Sequence, residues 1–261
     1  MYYCWGENAP FEPLTGENVL VSAGVAWGRG KDEFRLNIPD AETIFLDSGG
    51  FQAATKWERY PYDPIELFEW AEEIGASYVA GMDVACEDRK ELLELESTKV
   101  NPGDVKDRMH RSLIQQRRCR IEYETGDWDF QFIPVIQGRT VEEYKLFMQW
   151  MDKHRLDQYP YLALGTVCKR NSPNEILKIL KEVRRKHTDK KLHLFGATKR
   201  IWNDRRFWGL FESSDTKAWT FNPPGTDRRF AKNKAEKYDA FEAYKEDIEL
   251  IKTTMRAQTT L

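Results

Sequence analysis

Short apolar runs alternate with longer amphipathic stretches along most of this chain. VLVSAGVAW (19–27), TIFLD (43–47), SYVAGMD (77–83), FQFIPVIQG (130–138), YLALGT (161–166), LHLFGA (192–197) and GLFESSD (209–215) read as strands. They are short, apolar on both faces, and several end in Gly, Asp or Gln, as in a parallel sheet covered by helices. DPIELFEWAEEIG (63–75) reads as a helix with an Ile65, Leu67, Phe68, Ile74 stripe, with Asp63 as its cap and Pro64 in its first turn. TVEEYKLFMQWMDKH (140–154) opens on Thr140 with Glu143 at capping-box spacing, and SPNEILKILKEVRRKH (172–187) opens on Ser172 and Pro173. Further helices are predicted over about 105–123, between LHLFGA and GLFESSD, and over roughly 232–255.

Seven strand-like runs, most followed by a helix, predict a (β/α)8 TIM barrel, with AWTF (218–221) as the candidate for the eighth strand. An open doubly wound sheet is less favoured, because GVAWGRG (24–30) does not make the Gly-rich nucleotide turn such a fold places after its first strand. A barrel of about 250 residues would use nearly the whole chain, so residues 1–261 are expected to form one domain.

Composition narrows the class. The chain is 41% hydrophobic and 13% aromatic, enough to bury a sizeable core, and its formal net charge of −3 leaves no global positive field for nucleic acid. Any such surface must be a local patch. Cys4, Cys86, Cys119 and Cys168 are far apart without a CxxC pair, which argues against a disulfide framework or a zinc ribbon. Cys86 and Cys168 are expected to be buried thiols. MYYCWGENAP is unlike a signal peptide, and no run approaches the roughly 18 apolar residues of a membrane span. A cytoplasmic protein with no membrane partner is therefore expected. The four histidines have no metal-ligand spacing, and His193, alternating with apolar neighbours, reads as a packed strand residue. The acidic run 87–97 reads as a solvated loop or helix.

In a barrel the C-terminal strand ends form the active site. Here those ends carry Asp47, Asp83, Gln137, Gly165, Gly196 and Asp215. Any one Asp can cap the next helix and any one Gly can make a turn. Three carboxylates and an amide at one mouth favour chemistry instead. The glycines of FLDSGGFQ (45–52) and LALGT would let backbone approach a planar ligand, Asp83 and Gln137 would read the edge of a base, and Phe51 would stack on its face. Two further carboxylates would suit a covalent glycosyl transfer, one attacking the anomeric carbon and one moving a proton.

FLDSGGFQ, GMD, PVIQG, LALGT, LHLFGA and SSD, in that order over about residues 43–215, resemble the tRNA-guanine transglycosylase superfamily. DSGGFQ is the most specific of these, and the ordered set is more specific than any member. The resemblance implies a TIM barrel that exchanges guanine for a 7-deazaguanine in a polynucleotide. It implies Asp215 as the nucleophile at C1′ and Asp47 as the acid/base. The base pocket would be drawn from Ser48, Gly49, Gly50, Phe51 and Gln52 in the first motif, and from Asp83. Gln137 and Gly138, then Leu164, Gly165 and Thr166, then Phe195 and Gly196 would complete it.

The departures matter as much. Members acting on tRNA carry a late CxCxxC cluster and a His that bind zinc, whereas no cysteine follows Cys168 here, so no zinc and no other cofactor is expected. Reduced chains of this kind resemble the DpdA type of bacterial DNA-modification clusters and phages, which inserts 7-deazaguanines into DNA. DNA is thus the expected polymer, with tRNA as the alternative and helper proteins of a modification system as possible partners. The bacterial tRNA enzymes place a Glu after the LAxG-like strand. Val167, Cys168, Lys169 and Arg170 stand there, which favours a neutral nitrile base (preQ0) over the cationic preQ1.

Positive charge is clustered. Lys199, Arg200, Arg205 and Arg206 precede Asp215, and Arg228 and Arg229 follow it. Trp202, Phe207, Trp208 and Trp219 lie among them, a mixture suited to a flipped or single-stranded nucleotide. Arg108, Arg111, Arg117, Arg118 and Arg120 crowd one helix, as a second phosphate face or as a solvated one. A nucleoside or glycoside hydrolase, and a barrel that only binds nucleic acid, remain the competing readings.

Overall fold

The computed structural model describes residues 2–28, 32–35, 37–95, 98–167, 170, 172–221, 223–227 and 230–259. Among them are nine strands: β1 (Tyr2–Gly6), β2 (Asn18–Ser22), β3 (Thr43–Asp47), β4 (Tyr78–Ala80), β5 (Gln131–Ile133), β6 (Val135–Ile136), β7 (Tyr161–Leu164), β8 (Lys191–Leu194) and β9 (Ser213–Thr216). All pair in parallel, in the order β5-β4-β3-β2-β1-β9-β8-β7-β6. Only Pro134 separates β5 from β6, so the two ends of that order meet and the sheet closes into a TIM-like barrel. Proline has no N–H to give a ladder, which is why the strand breaks there. β5 ladders to β4, β6 ladders to β7, and the buried Gln116 amide bridges the break. Its Nε2 donates to Val135 O (2.8 Å), and its Oε1 accepts from Val135 N–H (2.6 Å).

The eighth stave is β1, not residues 218–221; Ala218–Thr220 is a 3-10 turn. YYCWG makes a strand because Cys4 points into the barrel while Tyr3 and Trp5 point out beneath the helix Lys234–Thr259. Trp5 packs on Phe241 at 4.9 Å and Tyr3 on Tyr244 at 6.2 Å. The first predicted strand is shorter than its apolar run: β2 stops at Ser22 and the chain turns through a helical Ala23–Ala26. That turn presses Gly24 against Gly49, where a Cβ on Gly24 would stand 2.9 Å from Gly49 Cα.

Alternate residues face inward, so Cys4, Leu20, Phe45, Ala80, Ile133, Val135, Tyr161 and Ala163 fill the barrel's centre. The larger apolar cluster lies between strands and helices. Asp63, Asp104 and Thr140 each close a capping box at the start of Pro64–Glu73, Val105–Thr125 and Val141–Lys153. Two details differ from the sequence pattern. Ile65 is 44% exposed, and the helix instead buries Leu67, Phe68, Trp70 and Ala71, because the aromatic Trp70 claims the inner face. The arginine cluster is not one phosphate face: Arg108 is fully buried and donates to the Gly103 and Glu87 carbonyls, and Arg111 donates to those of Ala53 and Glu58. Among the described residues no helix is long and apolar enough to cross a membrane.

Candidate active site

The strand ends predicted to carry chemistry do meet. Asp47, Gly50, Phe51, Asp83, Gln137, Gly165, Thr166, Phe195, Gly196 and Asp215 line one cavity of about 660 Å³ at the C-terminal mouth of the barrel. Its polar side chains fall into two sets.

One group is built around Asp83. Its Oδ2 accepts from Gln137 Nε2 and its Oδ1 from Ser48 Oγ at 3.4 Å, while Ser48 Oγ also donates to Gly81 O at 3.0 Å. Gln137 Oε1 accepts from Thr166 Oγ1 (2.5 Å), which in turn accepts from Cys86 N–H (2.7 Å). Thr166 has φ of 55°, a left-handed conformation that costs a β-branched residue about 1–3 kcal/mol and persists because these bonds fix it. Burial raises the Asp83 carboxyl from 3.8 to about 7, helped by the charge of Asp47.

The other group is the carboxylate pair. Asp47 ends β3 beside Ser22, its partner across the ladder. Burial first, and the charge of Asp215 as well, raise it from 3.8 to about 6, against the Ser22 hydroxyl and the Gly49 N–H, which stabilise the anion. Asp215 is held through one oxygen: Oδ1 accepts from Gly196 N–H at 2.8 Å and lies 3.3 Å from His193 Nε2. Gly196 has φ of 67°, a turn that glycine makes without strain and that aims its N–H at the carboxylate.

The glycines make room for protein groups as much as for a ligand. A Cβ on Gly50 would overlap Asp83 Oδ1 and stand 2.7 Å from its Cγ; one on Gly165 would overlap Gln137 Nε2 and stand 2.7 Å from its Cδ. Gly49, at φ of 85°, is the left-handed cap of Gly50–Thr55 and packs on Gly24, with its Cβ position 2.7 Å from Gly24 Cα. Ser48, Gln52, Gly138 and Leu164 are not cavity-lining residues. Ser48 is fully buried and steadies Asp83, Gln52 packs beside Gly24, Gly138 backs onto Tyr144 N, and Leu164 faces the outer core. Strand alternation explains Leu164, since its neighbours Ala163 and Gly165 take the inner side.

The basic residues divide. Lys199 and Arg200 line an adjoining cavity of about 550 Å³ that shares Gly196, Thr198, Ala218 and Phe221 with the first. Lys199 is bonded to Asp247 and lies 4.5 Å from the Tyr244 ring. Arg205 and Arg206 line neither, and Arg206 is held by Asp204 and by Asn174 Oδ1 at 2.8 Å. Arg228 and Arg229 lie outside the described residues, as do Cys168 and Lys169. Trp202, Phe207 and Trp219 are fully buried, so these aromatics are core and not a stacking surface. Their basic neighbours concealed that in the sequence.

Other residues enter the site without having been expected there. Lys217, exposed and two positions after Asp215, lines the cavity, as does Phe221. Glu87, read as part of a solvated run, is only 4% exposed and also lines it. His193 is fully buried against Asp215. Its inward position on β8 could be read from the period-two alternation, but its level against β9 could not, since the ladder sets His193 opposite Ser213 with Asp215 two residues further on. Among the described residues no group of three or more His, Cys, Asp or Glu side chains is placed to hold a metal ion.

A family model described as DpdA: DeoxyPurine in DNA protein A matches residues 18–231, a span that contains all the cavity residues named above. No curated protein matches the chain.

Proposed function

The chain belongs to the DpdA family, a transglycosylase-type family that modifies deoxypurines in DNA, and from that premise we propose that it exchanges guanine in DNA for a 7-deazaguanine through a covalent aspartyl intermediate. The observation that carries this reading is the pairing within one cavity of two differently placed carboxylates, Asp47 and Asp215, with a separate base-edge reader, Asp83 and Gln137.

Guanine presents two neighbouring donors on its Watson–Crick edge, which a carboxylate at Asp83 accepts together, and Gln137 serves the adjacent acceptor. Such donors stabilise the Asp83 anion and so oppose the burial that holds its carboxyl at about 7. Phe51 and Phe195, from opposite staves, flank the flat ring. With the base held, an Asp215 oxygen attacks C1′. The C1′–N9 bond breaks, its electron pair leaves with guanine, and guanine takes a proton from Asp47. In the second half the incoming base gives its N9 proton to Asp47 and attacks C1′, and Asp215 leaves with the electron pair of its ester bond. An acid held at about 6 exchanges protons in both directions near neutral pH. Lys217 at the rim, with Lys199 and Arg200 beyond it, lies where the polymer's phosphates continue from the cavity.

The incoming base is proposed to be the neutral nitrile, since the segment after Thr166 offers no acid and Arg170 folds back to donate to Thr166 O at 2.8 Å. Incubation with labelled guanine or nitrile base, and with DNA or tRNA, tests the whole reading. Label should enter DNA, and Asp215→Ala should abolish uptake. Uptake into tRNA alone refutes the polymer, steady guanine release without an incoming base makes the protein a hydrolase, and preferred insertion of the aminomethyl base refutes the nitrile and points to Glu87.

A further inference from the structure

Asp215 sits at the end of a hydrogen-bonded line that runs down the inside of the barrel. His193 Nε2 is 3.3 Å from Asp215 Oδ1, His193 Nδ1 is 2.6 Å from Ser213 Oγ, and Ser213 Oγ is bonded to the Tyr161 hydroxyl. His193 and Ser213 are fully buried, and the imidazole is fixed by rings on two sides. It stacks on Phe45 at 4.2 Å and meets Phe195 edge-on at 4.7 Å. With an ionised Asp215 and a neutral imidazole one proton order satisfies every bond: Tyr161 donates to Ser213, Ser213 to Nδ1, and Nε2–H to Asp215.

We propose that His193, fixed in this tautomer by Ser213 and Tyr161, is the positioning residue that turns the Asp215 carboxylate and sets how readily its ester bond breaks. The inference rests on Asp215 being the nucleophile. Gly196 N–H and His193 Nε2–H both engage Oδ1, which leaves Oδ2 as the oxygen presented to C1′. When Oδ2 bonds to C1′, Oδ1 becomes the ester carbonyl and its negative charge falls. When the incoming base displaces the ester, the electron pair of the Oδ2–C1′ bond returns to the carboxylate and Oδ1 regains charge. A donor on Oδ1 therefore favours the departing carboxylate over the ester, because hydrogen bonds to charged acceptors are stronger than those to neutral ones. Its loss slows release from the intermediate more than entry into it.

The test uses the full-length protein with guanine-containing DNA, saturating labelled guanine as incoming base, and denaturing gels that report the fraction of protein trapped on DNA. His193→Phe keeps an aromatic ring between Phe45 and Phe195 and removes both nitrogens. His193→Gln restores an N–H near the Nε2 position. For His193→Phe, the trapped fraction relative to free protein should rise about ten-fold or more, since a hydrogen bond to a charged group commonly shifts an equilibrium by that factor. Turnover and the KM for DNA should fall together, as they do when release from a covalent intermediate becomes slower, and His193→Gln should recover most of the turnover. Ser213→Ala, which leaves the imidazole in place without its Nδ1 partner, should lie between the two and covers the case of a poorly folded His193→Phe. An adduct in the parent protein that neither His193→Phe nor Ser213→Ala increases overturns the His193 role alone. Equal losses in His193→Phe and His193→Gln reduce the residue to packing and also overturn it. Absence of any adduct in the parent overturns the Asp215 assignment, and this inference with it.

Discussion

Replacing Asp47 by Asn should make the protein more stable and inactive at once. Burial raises the Asp47 carboxyl from 3.8 to about 6, with the Asp215 charge adding to the shift. At pH 8 the folded protein must hold this carboxylate ionised in a place that favours the protonated form, whereas the unfolded chain holds it in water. Two pKa units at about 1.4 kcal/mol each set a ceiling of about 3 kcal/mol on that cost. The carboxylate borders an open cavity, so water screens part of it and about 2 kcal/mol is the working figure. Asn resembles the protonated acid and keeps an oxygen to accept from Ser22 and Gly49. The sign follows from the raised value. Below about pH 4 both states are protonated and the variant gains nothing; between about 4 and 6 the parent loses stability because the unfolded chain's carboxyl is ionised while the folded one stays protonated; above about 6 both are ionised and the difference is constant. Thermal unfolding at pH 8 should therefore show Asp47→Asn melting about 4–8 °C above the parent, the shift expected for 2 kcal/mol in a chain of this size. Base exchange should fall by about 10²-fold or more, because Asn carries no proton. Equal melting at pH 8, or a gap that does not narrow as the pH falls from 6 to 4, would refute the account of a carboxylate held at a cost for proton transfer.

Gly50→Ala and Gly165→Ala press on Asp83 and Gln137 respectively. Each should weaken guanine binding by about ten-fold or more in calorimetry, the scale of one displaced base-edge contact. Crowding should cost about 1–3 kcal/mol of stability. Arg108→Met leaves the Gly103 and Glu87 carbonyls without their donor and should lower urea stability by about 2–4 kcal/mol. In DNA-binding titrations, Lys199→Ala should flatten the dependence of log affinity on log salt by about one, the change for one lost phosphate contact. Arg206→Ala should leave that slope unchanged, since Asp204 and Asn174 already hold the guanidinium away from the cavity.

The barrel was legible because its inner and outer faces both demand apolar strands and its helices announce their caps, as at Asp63, Thr140 and Ser172. Strand β1 was missed although YYCWG carries strand-favouring aromatics, because its partners β2 and β9 are fixed by barrel closure, which no local window contains. The strand-end acids could be read from position alone. What each glycine accommodates could not, since Gly50 and Gly165 serve side chains that arrive from other staves. His193 was correctly expected to be packed; its contact with Asp215 depends on register between β8 and β9, which spacing along the chain does not carry. The buried state of Trp202 and Trp219 likewise follows from helices closing over them and not from their basic neighbours.

The broken stave at Pro134 gives the base pocket a mechanical side. Asp83 follows β4, Gln137 follows β6, and the strand between them is laddered to one neighbour before Pro134 and to the other after it. The Asp83–Gln137 bond thus acts as a clasp across the joint, above the point that Gln116 pins from outside. A base that draws both side chains to its own edge opens this clasp and takes its place as a strut. The joint is thus closed by a direct side-chain bond when the pocket is vacant and through the base when it is filled, so each round of exchange hands the joint from one to the other and back.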